Sequence, residues 1–399
     1  MKKLFPWFLV FMLLILGLLS YLDRSTLSIA NTVIADTFSI SPAKMGILLS
    51  AFMWPYAIAS LPSGYLVDKF GINKIMIVSI AGWSIASIFG GLVIGFYSIL
   101  FTRILLGVIE APFFIIATKI IQQYFKPSQR GLASSIVALG PRLANVIAPI
   151  FLVSLIAIVS WRGMFILLGI FGSVMGAIWY ITTSSSLKKV LTQSTTENNI
   201  SLINCIKDRN VALLCVGNLG SSYAYWVFLT WLPYYFIHNK GLDLKQMGIA
   251  TSLSFILSII SVMLGGILSD ALIKRKTCAV KARLTPIILG CTIAGFAIVA
   301  LPFITDLKLS IVIISISVFC LGLRISPTWA LVADISSKET VGSIGGIQNF
   351  SNFVGAGLAP LLTGFILSAT NSFSLVFLFS GVVCLGAAVC YVFIKNEKK

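Results

Sequence analysis

A lipid bilayer tolerates only backbone that satisfies its own hydrogen bonds, and this chain offers it one long apolar run after another. The runs lie at roughly 6–34, 44–67, 73–94, 97–125, 131–158, 163–183, 209–237, 246–272, 284–304, 309–333, 340–368 and 373–394. A helix of about 20 apolar residues crosses a hydrocarbon core of ~30 Å. With no water to serve free N–H and C=O groups, only helices and closed barrels can span it. Barrel strands would show about ten residues of strict alternation, which these runs lack. The expected fold is all-α and integral to the membrane, with 12 transmembrane helices. Many connections are very short, so neighbouring helices form antiparallel hairpins. Composition agrees: of 399 residues, 58% are hydrophobic and 10% charged, against about 25% charged in a soluble domain. That excludes a soluble globule, and disorder requires the opposite bias.

The formal charge of +17, from 29 Lys and Arg against 12 Asp and Glu, would suggest nucleic acid in a soluble protein. Here the basic residues cluster between apolar runs, no aromatic-interleaved basic stretch occurs, and no nucleic-acid partner is expected. With both termini cytoplasmic, only Lys44, Arg162, Lys240, Lys245 and Lys308 fall on the opposite face, while loops such as 274–283 carry the excess. Such asymmetry is the positive-inside signature, and it requires an even number of spans. Lys2-Lys3 and the run from Leu4 imitate a signal peptide, but the run is too long and is interrupted by Asp23-Arg24. It reads as a retained first helix.

One long polar segment, 184–208, divides the chain. The expected organisation is a six-helix bundle over 1–183, a cytoplasmic linker over 184–208 and a second six-helix bundle over 209–399. Gly64-Tyr-Leu-Val-Asp68 recurs as Gly266-Ile-Leu-Ser-Asp270, each time after the second helix of its half. Two parallel six-helix halves are one known transporter plan, with a cavity near the bilayer midplane. The seven cysteines contain no C-x-x-C pair, and His238, the one histidine, reads as a surface residue at a helix end. No disulfide framework, metal site or cofactor is expected.

Gly64 through Lys74, GYLVDKFGINK, resembles the loop signature of the major facilitator superfamily, G-x-x-x-D-[RK]-x-G-x-[RK]-[RK], with Asn73 at a usually basic position. In that family the loop is a conformational latch, which implies gating roles for Asp68, Lys69 and Asp270. The residues themselves suggest that Asp68 caps a helix N-terminus while nearby basic residues complement helix C-termini.

Charged residues inside the runs are the sharper signal, because each costs about 2.5–3.5 kcal/mol at mid-membrane. They are Arg24, Arg103, Lys119, Arg142 and Arg324, with Asp23 and Glu110 as the carboxylates. Arg103, Gly107 and Glu110 are spaced i, i+4, i+7 on one helix face, with ~10.5 Å of rise between the outer two. Asp23 can pair with Arg103 in one state and leave it in another. Arginine does not release its proton, so Asp23 and Glu110 are the candidate proton carriers. Arg24 is a candidate anion ligand, and Arg103 a candidate gating or structural partner. Arg142 and Arg324 either bind substrate or pair structurally, Arg324 having the further reading of sitting at a helix break beside Pro327, and Lys119 can snorkel to the cytoplasm. Cations outnumber carboxylates in these runs, which favours an anionic substrate over a cationic one.

The longer pattern resembles the anion:cation symporter branch of the superfamily, which includes sugar-acid and sialin-like transporters. It comprises Tyr21-x-Asp23-Arg24, Arg103-x-Leu-Leu-Gly107-x-x-Glu110-Ala111-Pro112, Trp161-Arg162-x-Met164-Phe165, Trp231-Leu232-Pro233 and Asn349-x-x-Asn352. The resemblance implies that Asp23 and Glu110 couple protons, that Arg24 contacts the anion, and that Tyr21, Tyr56 and Asn349 line the cavity. The chain departs from the branch at Gln129, where glutamate is usual, and at Arg142, where a polar amide is common. The expected function is proton-coupled symport of a small organic anion by a monomer in the bacterial inner membrane. The alternative is a proton-driven efflux antiporter, whose Gly-Pro-x-x-Gly-Gly signature is not matched by Gly140-Pro141-Arg142-Leu-Ala-Asn145. A membrane enzyme or a channel finds no acid/base cluster or filter-like segment here, and no enzyme activity is expected.

Overall fold

The computed structural model describes residues 5–183, 207–336 and 340–395. The linker expected at 184–208 lies outside the described residues except for 207 and 208, as do Lys2, Lys3, Lys188, Lys189, Lys338, Lys398 and Lys399 among the topology-setting cations. All regular structure among the described residues is helical. Among the described residues, eleven helical spans, some of them broken within, are long and apolar enough to cross a membrane. The described residues form two compact units, one of those up to 183 together with 243–252, the other of 207–242 and 253–395.

The first unit contains α1 (Phe5–Ile29), α2 (Asn31–Phe38), α3 (Pro42–Ser50), α4 (Met53–Phe70), α5 (Ile72–Gly91), α6 (Phe96–Glu110), α7 (Phe113–Tyr124) and α8 (Pro127–Thr183). The second contains α9 (Arg209–His238), α11 (Ser258–Lys274), α12 (Ala279–Ala300), α13 (Leu307–Leu323), α14 (Ile325–Ile335), α15 (Val341–Thr370) and α16 (Phe373–Val392). Helix α10 (Leu244–Ile256) straddles the division between the units. The span α8 is two helices meeting at a kink at Ser160, with φ 66 and ψ 170, which falls between the runs expected at 131–158 and 163–183.

Several expected runs are broken within, one of them at the helix break beside Pro327 that the sequence offers as one reading of Arg324. The run at 44–67 breaks at Ala51–Phe52, the run at 97–125 at Ala111–Pro112, and the run at 309–333 at Arg324. Pro55, Pro112 and Pro327 follow these breaks or sit in them. Each lacks an N–H and presses its ring on the carbonyl four residues earlier, which opens the helix just upstream. Pro62, Pro141 and Pro149 stay inside continuous helices, so proline alone does not fix a break.

Helix ends follow local chemistry. Ser41 accepts a hydrogen bond from the Lys44 amide with Pro42 at the first helical position, and Asp208 accepts from the amides of Asn210 and Val211. Both satisfy donors that the helix leaves orphaned. Gly71, at φ 88, separates α4 from α5 in a conformation closed to most side chains.

Within the first unit α1 and α5 pack on α8; within the second α9 packs on α15 and α16. The two units repeat one device. A Cβ on Gly140 would lie 2.5 Å from the Leu14 carbonyl oxygen and 2.9 Å from the Leu18 amide, so only glycine lets α8 meet α1 there. A Cβ on Gly355 would collide in the same way with the Leu219 carbonyl and lie 3.1 Å from the Tyr223 amide, where α15 meets α9.

Candidate functional site

One helix break and one glycine build a charged cluster inside the first unit. Gly107 on α6 faces the α3–α4 break, where a Cβ would collide with the Phe52 carbonyl oxygen and lie 3.2 Å from the Tyr56 amide. The missing side chain brings the break onto α6 and sets the rings of Phe52 and Tyr56 beside Glu110, one turn further along. From α1, Arg24 reaches into this corner and its Nε donates to Glu110 Oε2 at 2.8 Å. The Arg24 side chain is 6% exposed and that of Glu110 0%. The guanidinium carbon lies 4.5 Å from the Tyr21 ring centroid, 4.5 Å from Phe52 and 4.8 Å from Tyr56. Three π faces thus hold the cation in place, each worth ~0.5–2 kcal/mol. Its Nη2 is buried with no hydrogen-bond partner, and so is Glu110 Oε1.

Asp23, next in sequence, points elsewhere. Its carboxyl is buried among Ser87, Arg103 and Glu110, and its Oδ1 accepts no hydrogen bond. The sequence lets Asp23 pair with Arg103 in one state and leave it in another; in this structure Arg103 makes a different contact. Arg103 Nη1 donates to the Asp23 main-chain carbonyl at 3.2 Å, and Nη2 donates to Thr26 Oγ1 at 2.8 Å. Thr26 Oγ1 in turn donates to the same Asp23 carbonyl at 2.6 Å. Arg103 therefore pins the α1 backbone while its guanidinium rests over Phe165, 5.2 Å away. The stretch Trp161-Arg162 gains a local reason too. Arg162 Nη1 donates to the carbonyls of Gly91 at 3.2 Å and Val93 at 2.6 Å, closing the end of α5.

Arg142 lies half-buried on α8, directly after Pro141. In the second unit, Asn349 is half-buried on α15. Arg324, at the α13–α14 break, is 5% exposed and its Nη1 donates to Asn218 Oδ1 at 2.8 Å. No carboxylate pairs with Arg324 among the described residues.

The signature loop differs from its sequence reading. Asp68 ends α4 in an ion pair with Lys119 of α7, and α5 has no side-chain cap at Gly71. Asp68 lies within the last turn of α4, turned toward α7. Lys119 is accordingly an ion-pair partner. Lys69 rests over the rings of Tyr65 and Phe70 at 5.6 and 5.5 Å. Asp270 pairs with Arg283, whose Nε also reaches Asp334 Oδ2 at 3.3 Å. Asn73 accepts hydrogen bonds from Trp179 Nε1 at 2.9 Å and Thr183 Oγ1 at 2.7 Å, tying the end of α8 to the start of α5. A basic residue there has no acceptor to offer either donor.

The sequence reading missed Phe52, Thr26, Arg283 and the partnership of Lys119. A signal existed for Phe52, since it lies three residues before Pro55, and for Lys119, since it lies near the membrane end that carries Asp68. Thr26 and Arg283 had none.

Residues 13–360 and 283–399 match the Major Facilitator Superfamily profile. A protein of Escherichia coli (strain K12) named "Probable L-galactonate transporter" is 29% identical over 395 residues, covering 96% of this chain and 87% of that one. The Bacillus subtilis (strain 168) protein named "Probable galactarate/D-glucarate transporter GudP" is 30% identical, covering 98% of this chain and 92% of its own. The same fold occurs in the crystal structure of a bacterial homolog of the human lysosomal transporter Spinster, inward-facing and occupied, with TM-score 0.83 and 17% identity over 98% of this chain and 97% of that one.

Proposed function

This chain belongs to the major facilitator superfamily, a family of multi-pass membrane transporters rather than enzymes, and from that premise we propose that it carries a small sugar acid across the membrane together with protons. The observation that carries this reading is Arg24, a buried guanidinium held among three rings, paired with Glu110 and keeping one buried donor unused. The names of the relatives point to hexonates and aldarates as the substrate class.

The arrangement suits a competition. Glu110 and a substrate carboxylate are rivals for the same guanidinium, because a carboxylate takes an arginine fork bidentately. A proton on Glu110 removes its charge and frees Arg24 for the anion. Loss of that proton restores the ion pair and expels the substrate. Asp23 carries a second proton, since a buried carboxylate oxygen without a donor gains most from one. Arg103, anchored on Asp23 and Thr26, keeps this part of α1 in register. Tyr21, Tyr56, Arg142 and Asn349 are proposed substrate contacts. Asp68 with Lys119, and Asp270 with Arg283, are proposed gating pairs, with Lys69 beside the first.

We further propose twelve spans, with the break at Ser160 as the turn that divides α8, both termini cytoplasmic, bundles over 1–183 and 209–399 joined by the 184–208 linker, and action as a monomer in the bacterial inner membrane by alternating access. The test is charge movement in proteoliposomes, with and without an inward proton gradient, across sugar acids, dicarboxylates, aromatic acids and neutral or cationic controls. Proton-dependent signals confined to sugar acids are expected. Signals from cations or neutral compounds, or signals driven by an opposing gradient, would replace symport with efflux antiport.

A further inference from the structure

Arg324 differs from the other buried arginines. Arg24 has Glu110 at 2.8 Å, and Arg103 has Asp23 beside it. Arg324 is equally buried, at 5% exposure, yet it makes no ion pair among the described residues. Its Nε is buried and has no hydrogen-bond partner. Its one polar side-chain contact among the described residues is the Nη1 bond to Asn218 Oδ1 at 2.8 Å. Asn218 is held in that orientation, because its Nδ2 donates to the Gln348 carbonyl at 2.9 Å and to Ser351 Oγ at 3.3 Å. The groups within the field of the guanidinium are neutral-type side chains: Cys291, Cys384 and Tyr391, all 0% exposed. Arg324 lies both at the C-terminal end of α13 and at the N-terminal end of α14, whose partial charges offset one another. A buried cation is tolerated when a counter-charge or hydrogen bonds compensate it, and this one has a single side-chain bond among the described residues.

We propose that the second unit holds a site for a small monovalent anion of the halide class, centred on the Arg324 guanidinium beside Asn218. The burial selects the class. A six-carbon acid needs room and several hydrogen-bond partners, whereas the side chains around Arg324 are closed to solvent and the Asn218 amide donors are already committed. A halide needs only the guanidinium N–H groups that face it. The site is separate in ligand from the sugar-acid site proposed at Arg24, and it does not depend on that assignment.

The test uses the purified full-length protein in detergent. Its unfolding temperature is followed against chloride, with ionic strength held by the bulky sulfonate MES. A saturable rise with chloride is expected, lost in Arg324→Gln. It is also expected to be lost in Asn218→Asp, which puts a permanent carboxylate where Arg324 already finds an oxygen and so replaces the anion. Crystals grown in bromide should show an anomalous peak beside Arg324. A chloride response that persists in both variants, or no response in the wild-type protein, overturns the proposal. So does a response lost in Arg324→Gln but produced by galactonate alone in chloride-free buffer, which would assign Arg324 to the substrate. If Arg324→Gln does not fold, the Asn218→Asp variant and the bromide peak decide.

Discussion

Replacing Glu110 with glutamine removes one charge and almost no volume, and it separates binding from coupling. The pair it alters is close and dry: Nε to Oε2 is 2.8 Å, with the side chains 6% and 0% exposed. A hydrogen bond to a charged group contributes about 1.5–3 kcal/mol net, a neutral one ~1 kcal/mol. The amide oxygen therefore holds Arg24 more weakly by about 0.5–2 kcal/mol, and at ~1.4 kcal/mol per tenfold a competing carboxylate should bind about 2- to 30-fold more tightly. Removing a buried ion-pair partner outright costs about 3–5 kcal/mol. The retained amide oxygen and the three rings around Arg24 should limit the stability loss here to about 1–3 kcal/mol. The assay pairs calorimetric titration of D-galactonate with uptake into proteoliposomes under an imposed proton gradient. E110Q should bind more tightly, exchange labelled for unlabelled substrate, and fail to accumulate it. Unchanged affinity together with wild-type proton-driven accumulation would remove Glu110 from both roles.

Asp23→Asn should likewise abolish proton-driven accumulation while leaving counterflow, and loss of neither would end the coupling role of Asp23. Arg24→Ala should weaken anion binding by at least about thirtyfold, since truncating one partner of a buried charged contact costs ~2–5 kcal/mol; titration with galactonate reads this directly. Gly107→Ala drives a methyl into the Phe52 carbonyl and should destabilise the fold by about 1–3 kcal/mol or more, seen as a lower unfolding temperature. Lys119→Gln should change stability by less than about 1 kcal/mol, as for other partly exposed pairs, yet alter the transport rate measured in the same vesicles.

The apolar runs made the helical membrane fold legible, because span length and backbone satisfaction leave few alternatives. The buried charges on α1 and α6 were legible for a related reason: their cost in hydrocarbon marks them. Partner choice was not. Arg24 and Asp23 are adjacent, and sequence spacing does not say which of them meets Glu110. That is settled by the α3–α4 break, which carries Phe52 and Tyr56 onto α6 at Gly107. The breaks near Pro55 and Pro112 were missed because these prolines look like Pro62 or Pro141, which their helices absorb, whereas the break beside Pro327 was one of the readings open for Arg324. The Asp68–Lys119 pair was missed because a lysine near a membrane end has an adequate solvent explanation. Asn73, a departure from the signature, became intelligible only once Trp179 and Thr183 were found donating to it.

Coupling between proton and anion is read by recording the pH of a weakly buffered medium around proteoliposomes when a sugar acid is added with no gradient imposed. Symport predicts that the medium turns alkaline as substrate enters, in proportion to uptake, and that Asp23→Asn and Glu110→Gln abolish the change. Acidification on substrate entry, or uptake with no pH change, would contradict proton-coupled symport.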